Sequence, residues 1–315
     1  MLTEIPTSDD FEVVGMQLLN VAWDAAATLV CDFDMLDYRE VEKDPKNSAY
    51  WKAAKIQLST GLTIAQQGSE FLLKARIAKA GVHFLLGVGK NKCTQEYTRK
   101  SRAFSEFRTV DAQDLIKIYR AVCDESLDNE FAQAYERLRR QRNSLIHSAG
   151  SRLSILASDL MCIVLSINQH LGREENWVKV RRDYLHSTPV ALMNPETYAD
   201  YRLVGEFGAV RDLLTSAQIK TYFAFDKRRR NYLCPCCVFG GVYGYDEREP
   251  RTAMLEPNKH DSETVWCFVC DETQNVERIA CASLECKGNV LSYEWGRCLT
   301  CGTEASCASV PRPRS

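Results

Sequence analysis

The chain has no long unbroken hydrophobic run, no internal repeat, no low-complexity tract and no surplus of one charge. Its start, MLTEIPTSDDFEVV, is acidic where a secretory leader needs a basic region followed by an apolar run, so no signal peptide is expected. The apolar stretch Leu153–Leu171 is interrupted by Ser158, Asp159, Ser166, Asn168 and Gln169, which fits a buried helix rather than a membrane span. Without a period of roughly 20–50 residues, solenoids are excluded, and without biased segments so are linker-rich arrays. A formal net charge of −2 leaves any attraction for polyanions to local patches.

What remains is the composition of an ordinary soluble globular protein, 45% hydrophobic and 26% charged over 315 residues. That length allows about two domains, each with its own core. A cytoplasmic setting is expected, and there 14 cysteines are not expected to pair as disulfides. Cys31, Cys93, Cys123 and Cys162 are isolated and read as small core residues, whereas the other ten fall between 234 and 307.

Charge is unevenly spread. Residues 1–50 carry 11 acids against 3 bases, while residues 137–152 carry five arginines and no acid. Such a patch reads either as a phosphate contact or as a solvated helix face.

Up to about residue 230 the spacing of apolar residues predicts helices over 10–38, 52–86, 111–123, 127–149 and 152–171. Asp111 or Thr109 should cap the third, Gly150 should stop the fourth, and Ser151 should cap the fifth before Gly172 ends it. The outline is an antiparallel bundle over 1–172. Residues 173–230 read as a connecting region, with turns at Thr188-Pro189 and Asn194-Pro195 and one helix at about 207–224. The run Lys227-Arg228-Arg229-Arg230 then suits a nuclear signal, a nucleic-acid contact or, more commonly, an exposed linker.

Residues 231–315 form a cysteine module. Cys234/Cys237, Cys267/Cys270 and Cys298/Cys301 are C-x-x-C pairs, and Cys281/Cys286 is a looser one. Tetrahedral zinc needs four thiolates, and a tight turn bearing C-x-x-C presents two of them to one ion, so four pairs make two structural zinc sites per chain. The simplest pairing joins 234/237 with 267/270 and 281/286 with 298/301. An interleaved pairing stays open, as does replacement of Cys237 by Cys236, and Cys307 reads as spare. Strand formers at 242–245 and 290–295 point to ribbon hairpins. Redox-active dithiols would need a thioredoxin-like context that the pattern lacks. Residues 234–315 hold 8 bases against 12 acids, which argues against a generic phosphate grip and for a protein contact.

The segment Arg137-Leu-Arg-Arg-Gln-Arg142-Asn143-Ser-Leu-Ile-His147 resembles the R-N-x-x-x-H signature of the HEPN superfamily, and Glu70-Phe-Leu-Leu-Lys74 looks like the E-x-x-x-K of its earlier helix. The resemblance covers roughly residues 52–172. It implies a mainly α, HEPN-like bundle followed by the zinc-ribbon-like module, and a metal-independent endoribonuclease that works as a homodimer. Toxin–antitoxin or antiviral defence would be the setting, with RNA as substrate, an antitoxin or other protein as possible partner, and no membrane.

The residues themselves fit such chemistry. Arg142 continues the 4,3,4,3 stripe of Phe131, Tyr135, Leu138 and Leu145, where an apolar residue would be expected, so its charge needs a partner or a task. His147 can transfer protons near neutral pH, and a place in the last helical turn should raise its pKa. Arg142 offers a fork for phosphate oxygens, Asn143 can bond the phosphate or fix the imidazole, and Arg139 and Arg140 would hold the flanking RNA. Arg142 and His147 are five residues apart, which on one helix separates them by about 140°. A second copy would complete the site. Binding of RNA or a nucleotide without cleavage, and a zinc-stabilised scaffold, are the alternatives.

Overall fold

The computed structural model describes residues 2–35, 49–87, 101–148, 155–172, 176–194, 198–239 and 250–304. The chain is mainly helical, with a small antiparallel sheet, and divides into two units, 1–175 and 176–315.

Among its described residues the first unit holds a short parallel pair, β1 (Leu2–Thr3) and β2 (Arg102–Ala103), and five α-helices. These are α1 (Ser8–Met35), α2 (Ala49–Gly81), α3 (Ala112–Val122), α4 (Asn129–Ser148) and α5 (Ala157–Leu171). Thr7 and Asp10 open α1 reciprocally: the Asp10 carboxylate accepts from the Thr7 amide at 2.7 Å, and the Thr7 hydroxyl accepts from the Asp10 amide at 3.2 Å. Those bonds from Thr7 hold the Asp10 carboxyl below its usual range.

Small residues set how closely the helices approach. A Cβ on Gly61 would lie 2.6 Å from Leu160 Cδ2 and 2.9 Å from Ala25 Cβ, and one on Gly68 would meet the Gly15 carbonyl at 3.1 Å. Glycine therefore lets α1, α2 and α5 close on a core that includes Leu19, Trp23, Leu62, Leu72 and Leu160. Among the described residues α1 alone is long and apolar enough to cross a membrane, yet its Leu19, Ala22, Trp23 and Ala26 are fully enclosed in this core. At the far end Arg76 donates to the carbonyls of Leu171 (3.4 Å) and Gly172 (2.8 Å), tying α2 to the negative end of α5.

Two expected caps differ. Asp111 stands at the N-cap of α3, but its carboxylate takes the Arg108 guanidinium at 2.7 Å instead of a helix amide. The fifth helix begins at Ala157 behind Leu156, whose amide is taken by Asp159 at 3.1 Å. Ser151 and Gly150 lie outside the described residues. Cys31, Cys123 and Cys162 are half-buried rather than fully enclosed; burial pushes the Cys162 thiol up to about 11. Cys93 lies outside the described residues.

The second unit opens with α6 (Trp177–His186), α7 (Pro189–Met193), α8 (Tyr198–Leu213) and α9 (Ser216–Phe223). Three of these starts are capped by side chain: Asn176 for α6, Thr188 ahead of Pro189 for α7, and the Thr215/Gln218 capping box for α9. The single helix expected at 207–224 is thus two, divided at Leu214-Thr215. Arg181 and Glu206, both fully enclosed, join α6 to α8 through a two-pronged ion pair with both N–O distances at 3.2 Å.

A four-stranded antiparallel sheet follows, in the order β3 (Ala253–Leu255), β4 (Thr264–Cys267), β5 (Thr273–Glu277), β6 (Leu291–Ser292). The expected strand at 290–295 is reduced to Leu291–Ser292, and residues 242–245 lie outside the described residues. The helices and the sheet share one core, because Phe268 inserts among Phe207, Phe223 and Phe225, with ring centroids 4.8–6.4 Å away. Arg182 reinforces the junction by donating to the Val269 carbonyl at 2.8 Å.

Candidate functional site

The cysteine centres grow directly out of the sheet. Cys267 ends β4, so the turn at 267–270 is aimed by strand pairing and by the burial of Phe268. Cys234 immediately precedes, and Cys237 lies within, a short wide helical turn at Pro235–Phe239. The two pairs converge, and Cys234, Cys237, Cys267 and Cys270 place their Sγ atoms within 4.8 Å of one another. Cys281, Cys286, Cys298 and Cys301 form a second group on the same terms. This is the sequential pairing expected from the spacing, and the first group contains Cys237 rather than Cys236.

The donor set suits a tetrahedral metal. Four thiolates about 2.3 Å from one ion lie about 3.8 Å from each other. The close sulfur pairs are 3.5 Å (Cys234–Cys270), 3.9 Å (Cys237–Cys267), 3.6 Å (Cys281–Cys301) and 4.0 Å (Cys286–Cys298). Backbone amides already point at the sulfurs: Val269 to Cys267 at 3.4 Å, Ser283 to Cys281 at 3.4 Å and Gly288 to Cys286 at 3.3 Å. Thr252 and Thr303 hydroxyls lie 3.2 Å from Cys267 and Cys301. Such donors stabilise thiolate over thiol. At Cys301 burial opposes ionisation, but the bonds from Thr303, Cys286 and Cys281 bring the thiol down to about 7.

The two centres are also joined. The Leu233 amide, beside Cys234, donates to Leu299 at 2.8 Å, and the Leu299 amide, beside Cys298, donates to Val290 at 2.8 Å. The Gly288 position admits no side chain, since a Cβ there would sit 2.8 Å from Cys298 Sγ and from Thr300.

Most of the basic run before the first cysteine is consumed by this framework. Lys227 donates to the carbonyls of Arg211 (2.9 Å) and Leu214, closing the end of α8. Arg228 and Arg229 pair with Asp226 at 3.3 and 3.5 Å, and Arg228 holds that carboxyl below its usual range. Cys307 lies outside the described residues.

In the first unit the arginine-rich segment occupies the C-terminal half of α4, and its stripe is only partly core. Phe131, Tyr135 and Leu138 are buried, while Arg142 and Leu145 are half-buried. Arg142 Nη1 donates to Asn143 Oδ1 at 3.1 Å, and its Nε is shut off from solvent with no hydrogen-bond partner among the described residues. Arg139 is held by Glu136 at 2.9 Å, whereas Arg137 and Arg140 are exposed. His147 falls in the last turn of α4, but its side chain lies outside the described residues. Glu70 accepts from Gln66, and Lys74 lies 5.4 Å over the Phe71 ring, so these two are engaged with other neighbours. Burial, with a smaller contribution from the Glu70 charge, pushes the Tyr135 hydroxyl up, and that hydroxyl donates to the Ala112 carbonyl at 3.0 Å.

Comparison of the chain with protein-family profiles, with curated proteins and with solved structures returned no match. The likeness to the HEPN superfamily is accordingly carried by the Arg142–His147 motif and its helical setting alone.

Proposed function

We propose that this chain is a HEPN-type, metal-independent endoribonuclease whose second unit is held by two structural zinc ions. The observation that carries the enzymatic reading is Arg142. It places a guanidinium on the core stripe of α4, bonded to Asn143 at 3.1 Å, with a buried Nε left unpartnered and no carboxylate beside it among the described residues. A half-buried guanidinium with no carboxylate beside it keeps its full charge for a phosphate.

In the proposed reaction His147 takes the proton of an RNA 2′-hydroxyl, and the freed oxygen attacks the adjacent phosphorus. The P–O5′ bond breaks, a second imidazole protonates the leaving oxygen, and the products are a 2′,3′-cyclic phosphate and a 5′-hydroxyl. Arg142 stabilises the extra negative charge on phosphorus. The second imidazole comes from His147 of another copy, which makes the active species a homodimer. Arg140 holds the flanking strand; Arg139, already paired with Glu136, contributes less than Arg140. Closed four-thiolate centres leave no open position for substrate, so zinc serves the fold. A cytoplasmic toxin or antiviral role, checked by a protein partner, is the setting that accords with this chemistry.

A second reading, RNA or nucleotide binding without cleavage, is favoured by the exposure of Arg137 and Arg140 on α4, which needs no contribution from His147. Incubating the purified chain with total RNA, without added divalent metal, separates the two. Cleavage with cyclic-phosphate ends is expected, lowered about 10²–10⁴-fold by His147→Ala with RNA retention unchanged. Full activity of His147→Ala contradicts the enzymatic reading, and intact RNA that still shifts on a gel supports the second.

A further inference from the structure

The second unit contains a cavity of about 480 Å³ whose wall includes Cys286 of the second cysteine centre. Its size falls within the roughly 300–1,000 Å³ of small-molecule sites. Four separate segments build it: the stretch entering the first centre, the β3–β4 turn, the residues after β5, and the first turn of the second centre. Its basic lining is Arg230, Lys259, Arg278 and Lys287, with His260 beside them, and none of its twelve lining residues is an acid.

That concentration runs against its background, because residues 234–315 carry 12 acids and 8 bases. Several other cations of the unit are paired with carboxylates: Arg228 and Arg229 share Asp226, Arg297 meets Glu304 at 2.6 Å, and Arg181 meets Glu206. The hydrogen bonds of Arg230 and Arg278 go to neutral groups. Arg230 donates to the Lys287 carbonyl (3.3 Å) and the Thr300 hydroxyl (3.4 Å), and Arg278 Nη2 to Asn289 Oδ1 (3.4 Å). Arg278 Nη1 is shut off from solvent and has no hydrogen-bond partner among the described residues. Four full positive charges in one cavity exceed the formal −2 of a four-thiolate zinc centre whose Cys286 lines it, so a surplus of positive charge remains for an anionic ligand.

We propose that this cavity binds two or more neighbouring phosphate groups, carried either by a free nucleoside di- or triphosphate or by consecutive nucleotides of an RNA strand. Arg230 and Arg278 supply planar forks for phosphate oxygens, and Lys259 and Lys287 supply point charges at the rim. The free-nucleotide form is independent of the ribonuclease reading; the RNA form rests on it and gives that enzyme a second hold on its substrate, outside the Arg142 motif.

The test is a calorimetric titration of the full, zinc-loaded chain with three probes: inorganic pyrophosphate, ADP, and a 2′-O-methyl RNA 12-mer that cannot be cleaved. Because the readout is binding to uncleavable probes, it stands whether or not the chain cuts RNA. At least one probe should bind, and Arg278→Gln should weaken it about tenfold or more, as expected on losing a charge-assisted bond to phosphate. Lys259→Gln, on an exposed turn, covers the case in which Arg278→Gln does not fold, and should also weaken it. Pyrophosphate and ADP binding without the 12-mer assigns the site to free nucleotides, and the reverse assigns it to an RNA strand. Failure of all three probes to bind overturns the proposal, as does affinity unchanged in the folded variants.

Discussion

Glycines at 15, 61 and 68 let three helices of the first unit close on leucine, alanine and tryptophan, with Trp23 and Leu62 fully enclosed and no cysteine cluster among the described residues. The second unit has helices of 5 to 16 residues and strands of 2 to 5, and spends eight cysteines and a buried Arg181–Glu206 pair on holding them together. Short strands bury too little apolar surface to be stable alone. The difference teaches where each unit can be broken: the first at its close helix contacts, the second at its sulfurs.

The largest expected effect is therefore confined to the second unit. Cys267 is enclosed, ends β4 and neighbours Phe268, so Cys267→Ser removes a ligand and unseats the ring that joins sheet to helices. Structural zinc is worth about 10–16 kcal/mol of apparent binding energy, far more than a domain's usual margin. Scanning calorimetry should lose the second unit's transition while the first unit's survives. Loss of both together would break the comparison. A smaller effect, confined to the first unit, is expected from Gly61→Val, which forces side-chain atoms against Leu160 and Ala25 and should cost about 1–3 kcal/mol. Its zinc content should stay at the wild-type value, and loss of metal from that variant would show that the two regions are not separately held.

These differences bear on what could be read in advance. The five helices of the first unit were legible to within about five residues because apolar spacing is local, whereas α6 and α7 were not read as helices at all; the cysteine pairing was legible because C-x-x-C turns present two ligands by themselves. The packing of α6 to α9 against the sheet was not, since it rests on Phe268 and Arg182 reaching partners tens of residues away. Nor was the fate of the basic run: Lys227 closes a helix it follows by only 14 residues from Leu213, while Arg230 joins a cavity whose other cations lie at 259, 278 and 287. A charge count over the module concealed that cavity, because counting cannot see which charges are already paired. The arginine motif was legible as a motif, and Arg142 does stand where its charge lacks a carboxylate. Its relation to His147 depends on a side chain outside the described residues and on a second copy of the chain.

The claim on which the account of the second unit depends is that its eight thiolates hold metal, and elemental analysis of the purified chain tests it most directly. About two zinc ions per chain are expected, because two closed four-thiolate groups each take one tetrahedral ion. A chain free of metal whose second unit nonetheless melts cooperatively would contradict it.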